Sequence, residues 1–404
     1  MTDSVGVIGY NQHFGGFTFW PDNFNWSFQL LRLIAMAPVG GGDFTEVFHA
    51  VRDVKSGDEQ AWYQALSALA GRLEQEATAA AAEGHRVTAN AKLLRASNYF
   101  RGSGFFYDID DDRCLEAMEG RIRCFRAAAA LSDPPIETVE IPYEGDATLP
   151  GYLLSPRTAS AGPHPAAIVF GGGDAISEEM YFHIGRALVE RGYVVLLVDG
   201  PGMGEALRRG IHGRHDWEVP TSASLDFLLT RPEVDPARVA VIAESLGGYY
   251  STRAAAFEHR LGACVNWGGP YEFPLVLVTP TPDGELPNAG RPARRLVSLL
   301  GVADVDEARE ELKKFTLDGV VGKIQCPTLL LVAGSETGFL RKDGEEEIEF
   351  ELPAHRVFRE IQHDQKKMIT YPTGEPGCAH CQADSIVQAH EDIGDWLDEV
   401  FDNR

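Results

Sequence analysis

Short, uninterrupted apolar segments alternate with amphipathic segments from about residue 136 to the end of the 404-residue chain. "PAAIVFGGG", "YVVLLVDG", "RVAVIAE" and "PTLLLVAG" each contain at least five consecutive apolar residues. Strands without polar alternation are buried on both faces, which requires helices above and below a mainly parallel sheet. Two earlier segments, "IETVEIPYEG" and "ATLPGYLLSP", alternate like an antiparallel pair. The pattern predicts an α/β fold with a mostly parallel central sheet flanked by helices.

The first third of the chain has a helical pattern instead. Trp62, Leu66, Leu69 and Leu73 recur at the spacing of one helix face, within a segment rich in Ala, Leu, Glu and Arg. A further helix is predicted over about residues 112–131, ending before "SDPP". Since no strand pattern interrupts residues 27–131, we predict an all-helical domain over 1–135 and an α/β domain over 136–404.

Composition and charge exclude several classes of protein. The chain carries 60 acidic against 36 basic residues, a formal net charge of -24, which argues against binding of nucleic acid or anionic lipid. Six cysteines in 404 residues do not resemble a secreted disulfide framework. The N-terminal residues show no signal peptide, and no segment is apolar enough to span a membrane. We therefore expect a cytoplasmic protein that binds neither nucleic acid nor a membrane. Separately from these observations, we expect a small-molecule substrate and no cofactor.

Ser245 stands between a predicted strand and a predicted helix, in "RVAVIAESLGGYYS". A nucleophilic serine needs such a sharp strand-to-helix turn, with small residues two before and two after it. Those positions are Ala243 and Gly247, so alanine stands where glycine is usual. The flanking elements favour a nucleophile over a serine in an ordinary turn.

An oxyanion formed at such a serine is stabilised by two backbone N–H groups. One would come from Leu246, and the other from the glycine-rich loop in "FGGGDAISEE", for which we assign Gly173. A phosphate-binding or dinucleotide-binding loop is the alternative for this segment and for "DGPGMGE" (residues 199–205). Neither segment has the glycine spacing of those motifs.

The general base and the acid that orients it should follow the serine in the order acid, then histidine. Glu336 is the first carboxylate after the strand "PTLLLVAG", and Asp343 is the alternative acid. His380 lies in a Gly- and Pro-rich loop before the closing helix, where the base is expected. Together with Cys378 and Cys381, His380 could also suggest a metal site, but no further ligand pair accompanies them, so no metal is predicted.

These motifs resemble the α/β-hydrolase family typified by 2,6-dihydroxypseudooxynicotine hydrolase and by fungal polyketide-shortening hydrolases. "FGGGDAISEE", "VDGPGMGE", "AESLGGYY", "CVNWGGPYEF", "CPTLLLVAGSE" and "AHC" carry the resemblance over about residues 150–400. It implies an α/β-hydrolase fold with a helical lid, and a serine hydrolase whose Ser245–acid–His380 triad cleaves a carbon–carbon or ester bond in an aromatic or polyketide-like molecule. It places Asp174 near the substrate, and by analogy it implies a homodimer. Glu336 stands where the family usually has aspartate.

Two other functions fit the same residues. An acyltransferase or cyclase would use a substrate hydroxyl or amine in place of water, and a catalytically silent relative would only bind its ligand. The aromatic residues of the first third face the substrate, or form the core of the lid or a dimer interface. They include Phe14, Phe17, Trp20, Phe24 and Trp26.

Overall fold

The computed structural model describes residues 9–11, 16–21, 23–157, 163–280, 291–336 and 353–402. By internal contacts the chain divides into two compact units. The helical unit comprises Met1–Ile136, Ala333–Arg341 and Tyr371–Ala389. The sheet unit comprises Glu137–Val332, Lys342–Thr370 and His390–Arg404. The helical unit thus includes, besides the first third of the chain, the two later segments that contain Glu336 and His380.

Five helices follow a short hairpin in the helical unit. The hairpin strands are β1 (Gly9–Asn11) and β2 (Gly16–Thr18), and the helices are α1 (Phe24–Ile34), α2 (Phe44–Val51), α3 (Glu59–Ala82), α4 (Arg86–Ser103) and α5 (Asp112–Leu131). The Asp58 side chain caps α3 by accepting from the Ala61 N–H at 2.9 Å. A β-carbon at Gly120 would lie 2.8 Å from the Phe100 ring, so glycine allows α5 to approach α4. The region is helical as predicted, but the hairpin departs from the expectation of an all-helical domain.

A cluster of aromatic rings forms the core of these helices. Trp26 stacks on Phe106 with ring centroids 4.6 Å apart, and Trp20 meets Trp26 edge-on at 5.4 Å. Buried Trp62 donates its indole N–H to the Gly102 carbonyl at 2.8 Å. Trp20 and Trp26 therefore contribute to the core of the helical unit. Half-buried Phe24 pairs with Phe28, whereas Phe14 and the Phe17 side chain lie outside the described residues.

An eight-stranded sheet organises the sheet unit, in the order β10-β9-β8-β7-β5-β6-β4-β3. The strands are β3 (Glu137–Pro142), β4 (Thr148–Leu154), β5 (His164–Phe170), β6 (Val194–Val198), β7 (Val234–Glu244), β8 (Ala263–Trp267), β9 (Thr328–Ala333) and β10 (Lys366–Tyr371). β3 pairs antiparallel with β4, and β4 with β6, whereas β6, β5, β7, β8 and β9 run parallel. The predicted α/β-hydrolase fold with a mostly parallel sheet is confirmed.

Helices cover the central strands, whose side chains are buried on both faces of the sheet. Ile168 and Val169, successive residues of β5 whose side chains point to opposite faces, are both fully buried. The helices are α6 (Ser177–Met180), α7 (Arg186–Glu190), α8 (Gly204–Arg208), α9 (Glu218–Leu229), α10 (Leu246–Phe257), α11 (Arg291–Leu300), α12 (Val305–Leu312), α13 (Pro353–Glu360) and α14 (Ile386–Phe401). Because parallel strands end at one edge, the loops after β5, β6, β7 and β8 share that edge.

None of the helices in the described ranges combines the length and the apolar character needed to cross a bilayer.

Burial of His390 on α14 gives the fold an acid-sensitive element. His390 is 9% exposed, and burial lowers its pKa to about 4. The Phe182 and His183 carbonyls act in the opposite direction, since hydrogen bonds to them favour the protonated ring. The unfolded chain therefore binds a proton more readily, and the stabilising effect of neutral His390 is lost as pH falls from 6.5 towards about 4. Over that pH interval, we expect the free energy of unfolding of His390→Gln to fall by about 3 kcal/mol less than that of wild type.

Urea unfolding of wild type and variant at several pH values measures this difference. His85→Gln, a change at an exposed histidine, is the control and should retain the wild-type slope. Equal slopes for His390→Gln and wild type would show that His390 does not contribute.

Candidate active site

Ser245 occupies a strained turn between the end of β7 and the start of α10. Its backbone angles are φ 58° and ψ −128°, a region that residues with a β-carbon rarely adopt. The Ser245 N–H donates to the Trp267 carbonyl at 2.8 Å, and the Ser245 carbonyl accepts from the Gly248 N–H at 2.8 Å. Strain of this kind, held by the surrounding backbone, presents the side chain at the turn and is typical of a nucleophile elbow.

Alanine at position 243 is compatible with the turn because Gly247 lacks a side chain. A β-carbon at Gly247 would lie 2.8 Å from the Ala243 β-carbon and 2.3 Å from the Gly171 carbonyl oxygen. The space between the two positions therefore holds one methyl group, which Ala243 supplies. The departure from the usual glycine leaves the elbow geometry intact.

The second glycine of "SLGG" and the last of "NWGG" allow two backbone segments to touch. A β-carbon at Gly248 would lie 2.5 Å from the Gly269 α-carbon. Asn266 holds this crossing, since its side-chain carbonyl accepts from the Gly269 N–H at 2.8 Å and its amide donates to the Thr252 hydroxyl at 2.8 Å. The first turn of α10 is thereby secured against the loop after β8.

The glycine loop after β5 lies directly against the elbow. A β-carbon at Gly172 would be 2.7 Å from the Glu244 carbonyl oxygen, 2.8 Å from the Ser245 β-carbon and 3.2 Å from the Leu246 nitrogen. At Gly173 the nearest side chain is that of Leu246, at 3.8 Å. The structure therefore brings together the two residues expected to supply oxyanion N–H groups, Gly173 and Leu246. Asp174 follows them in the same loop and is half-buried.

"DGPGMGE" has a structural role within this edge of the sheet. The buried Asp199 carboxylate accepts from the Ser177 N–H at the start of α6 and from the Glu205 N–H at the start of α8, both at 2.8 Å. Gly204, at φ 40°, leaves room for that carboxylate. Asp199 therefore fixes the start of the helix that follows the glycine loop.

Glu336 and His380 meet within the helical unit. The Glu336 carboxylate contacts Nδ1 of His380, so the other ring nitrogen, Nε2, is the one that could exchange a proton with a substrate or nucleophile. The backbone joins the two loops, since the Ser335 N–H donates to the Cys378 carbonyl at 3.0 Å. Asp384 holds the His380 loop by accepting from the Gly377 and Ala379 N–H groups. Asp343, the alternative acid, lies outside the described residues.

Cys381 adds a thiol beside the imidazole of His380. Its Sγ lies 3.5 Å from His380 Nε2, and the residue has a left-handed backbone, with φ 51°. Burial opposes protonation of the ring, but the Cys381 sulfur and the Glu336 carboxylate favour it and raise the pKa of His380 well above its ordinary value. Among the described residues, no group of three or more His, Cys, Asp or Glu side chains is arranged to hold a metal ion.

Sequence reasoning missed one buried polar pair next to Ser245. Glu244, the residue before Ser245, contacts Nδ1 of His183 at 2.6 Å, and both side chains are less than 10% exposed. The signal in the sequence was a glutamate directly after the apolar run "VAVIA", together with a histidine four residues after a glutamate in "EMYFHIG".

The elbow serine at the end of a central parallel strand, with a glycine loop packed against it, defines the α/β-hydrolase class. Residues 49–347 match the family described as esterase FrsA-like, and the chain belongs to this family of α/β-hydrolases.

Several proteins named hydrolases are similar to this chain over nearly their whole length. Hydrolase acrC of Aspergillus aculeatus is 34% identical, covering 96% of this chain and 98% of that protein. The 20-hydroxy-prefusarin hydrolase FUS2 of Gibberella moniliformis is 31% identical, covering 94% and 97%. The crystal structure of 2,6-dihydroxy-pseudo-oxynicotine hydrolase is similar with a TM-score of 0.74 at 25% identity, covering 91% of this chain and 95% of that one. The predicted family resemblance is confirmed, and the protein is a hydrolase.

Proposed function

We propose that this protein is a serine hydrolase that forms an acyl-enzyme on Ser245, with His380 as general base and Glu336 as the acid that orients it. The strained elbow at Ser245, packed against the glycine loop, is the observation that carries the proposal. A serine hydroxyl is a weak nucleophile, and a serine in this backbone geometry is the form in which hydrolases of this class expose it.

The proposed reaction begins when His380 Nε2 takes the proton of the Ser245 hydroxyl. The serine oxygen attacks a substrate carbonyl, and the N–H groups of Leu246 and Gly173 stabilise the negative charge on the carbonyl oxygen. His380 then protonates the leaving group, either the alkoxide of an ester or the ketone enolate that departs when a β-diketone is cleaved. Water hydrolyses the acyl-enzyme by the same proton transfers in reverse. The Glu336 carboxylate on Nδ1 stabilises the imidazolium that forms in both steps.

An aromatic or polyketide-like small molecule is the substrate class we propose, with an ester or a ketone-activated carbon–carbon bond as the bond cleaved. The names of two similar proteins support a low-molecular-weight substrate, since they specify 20-hydroxy-prefusarin and 2,6-dihydroxy-pseudo-oxynicotine. We propose in addition that Asp174, half-buried beside the oxyanion loop, contacts a hydroxyl or carbonyl group of that substrate.

A fluorophosphonate probe tests the proposal, because it reacts only with an activated serine. We expect one adduct per chain, located on Ser245 by peptide mass spectrometry. Incubation of aryl esters and aryl β-diketones in ¹⁸O-labelled water should then place one ¹⁸O in the acid product. Absence of the adduct would indicate a silent binding protein, and acyl transfer to an added alcohol without ¹⁸O would indicate an acyltransferase.

Because the pKa of His380 is raised, we expect the enzyme to become active at a higher pH than an ordinary histidine base would allow. His380 accepts a proton only when neutral, so kcat should rise with pH through the pKa of His380, with its midpoint above the ordinary value of 6.5. Cys381→Ser removes the ionisable thiol beside Nε2 and should move that midpoint to lower pH. Profiles of kcat from about pH 5 to about pH 10 measure the shift.

Cys114→Ser, at a half-buried cysteine on α5, is the matched control and should leave the profile unchanged. A Cys381→Ser profile that coincides with wild type would show that the thiol does not influence the base.

A further inference from the structure

In the segment that follows the glycine loop, a histidine contacts the residue before the proposed nucleophile. The chain leaves the glycine loop, enters α6 at Ser177, and passes through a single π-helical turn, Tyr181–Gly185, before α7. His183 lies in that turn, and its Nδ1 is 2.6 Å from Oε2 of Glu244. Single π-helical turns within α-helices are frequent at functional sites because they re-aim one side chain.

Carboxylates lie on both sides of the His183 ring. Besides Glu244 on Nδ1, Oε1 of Glu179 lies 3.7 Å from Nε2. His183, Glu179 and Glu244 are 4%, 2% and 4% exposed. Burial of charged groups is costly, and replacement of a buried ion pair by apolar side chains of similar volume is often neutral or stabilising. Stability alone therefore does not account for this arrangement.

Glu244 connects both halves of the oxyanion-binding backbone. Its carbonyl oxygen would be 2.7 Å from a β-carbon at Gly172, so its backbone touches the loop that contains Gly173. Its side chain binds the helix that continues from that loop, and its chain continues into Ser245 and Leu246. The Asp199 carboxylate already fixes the start of that helix at the Ser177 N–H. The Glu244–His183 contact is the second anchor, placed one and a half turns further on.

We propose that the Glu244–His183 pair is a positioning device, which sets the separation of the Gly173 and Leu246 N–H groups and thereby the stabilisation of the oxyanion. The inference rests on the proposed function. Neither side chain is assigned a contact with the reacting atoms, so both are positioning residues and not catalytic ones. Oxyanion donors act because their positions are fixed before the reaction. Displacement of a donor by a fraction of an ångström therefore reduces the stabilisation of the transition state more than that of the bound ester.

Glu244→Gln, which preserves volume, and His183→Asn, which keeps a hydrogen-bond donor, test the proposal. With p-nitrophenyl butyrate we expect each variant to lose roughly 10- to 100-fold in kcat, with KM within about twofold of wild type. The second-order rate of fluorophosphonate labelling should fall in parallel. His183→Leu, which removes the hydrogen bond entirely, should lose more than His183→Asn, which keeps a donor near the Nδ1 position. The double variant Glu244→Gln/His183→Asn should be no slower than the slower single variant.

Glu178→Gln is the matched control for the cost of altering a buried carboxylate. Glu178 lies on the same helix, is 3% exposed and accepts from the Tyr152 hydroxyl at 2.8 Å. This variant should lower Tm and leave kcat unchanged well below Tm. If Glu244→Gln and both His183 variants lower Tm in the same way but keep wild-type kcat and labelling rates, the pair is only structural and the inference is wrong. A wild-type protein that takes up no fluorophosphonate overturns the proposed function, and this inference with it.

Discussion

Ser245→Ala is expected to lower kcat by about 10⁶-fold and to abolish fluorophosphonate labelling, because it removes the atom that forms the acyl-enzyme. Alanine keeps the β-carbon at φ 58°, so the variant experiences the same backbone strain as wild type and should unfold at a similar temperature. Loss of activity with an unchanged Tm separates chemistry from folding. Hydrolysis of p-nitrophenyl butyrate and a thermal melt measure both quantities.

Ser245→Gly provides the control for the strain itself. Glycine adopts positive φ without the steric cost of a β-carbon, so this variant should be inactive and more stable than wild type by about 1 kcal/mol. A gain in stability together with loss of activity is the expected sign of a strained functional site. Retention of labelling after Ser245→Ala would mean that another residue is the nucleophile and would refute the proposed mechanism.

Glu336→Gln is expected to lower kcat by about 10⁴-fold, the loss seen when the acid of such a triad becomes an amide. The amide cannot stabilise the imidazolium, and it can donate to Nδ1, which favours the tautomer with its proton on Nε2. That proton occupies the nitrogen that must accept the serine proton. The same change removes one of the groups that raise the pKa of His380, so the remaining activity should have its acid midpoint at lower pH. Steady-state kinetics against pH measure both effects.

Asp343→Asn is the matched comparison, since Asp343 is the next carboxylate after Glu336 in the sequence. Because Glu336 contacts the Nδ1 atom of His380, we expect Asp343→Asn to keep wild-type kcat. A large loss for Asp343→Asn, with near-normal kcat for Glu336→Gln, would assign Asp343 as the acid.

Much of the fold followed from patterns that act over a few residues. Continuous apolar strands predicted the parallel sheet, and alternation in residues 136–154 predicted the antiparallel pair of β3 and β4. The spacing of apolar residues predicted helices in the first third, and these are α3 and α4, with Gly84 between them. Local chemistry also explains why Ser245 could be singled out, since an elbow needs small neighbours and a strand before a helix.

The glycines of "NWGG" and the acid in "DGPGMGE" could be recognised in the sequence, but their structural purpose could not. Gly269 is required where it meets Gly248, and Asp199 binds the N–H groups of Ser177 and Glu205. Each of these contacts joins segments that are separate in the chain. A single sequence contains no measure of which separate segments meet.

By itself the sequence determined the α/β class, the helical first third, and the strand-to-helix turn at Ser245, because periodicity and turn residues are local properties. Only the tertiary structure brought the glycine loop onto the elbow, the Glu336 carboxylate onto His380, and Glu244 onto His183. Glu244 and His183 are 61 residues apart, and their contact depends on how β7 lies beside β5 and on where a π-helical turn directs one ring. Packing of distant segments sets such contacts, and the free energy of that packing belongs to the whole fold and not to any one motif.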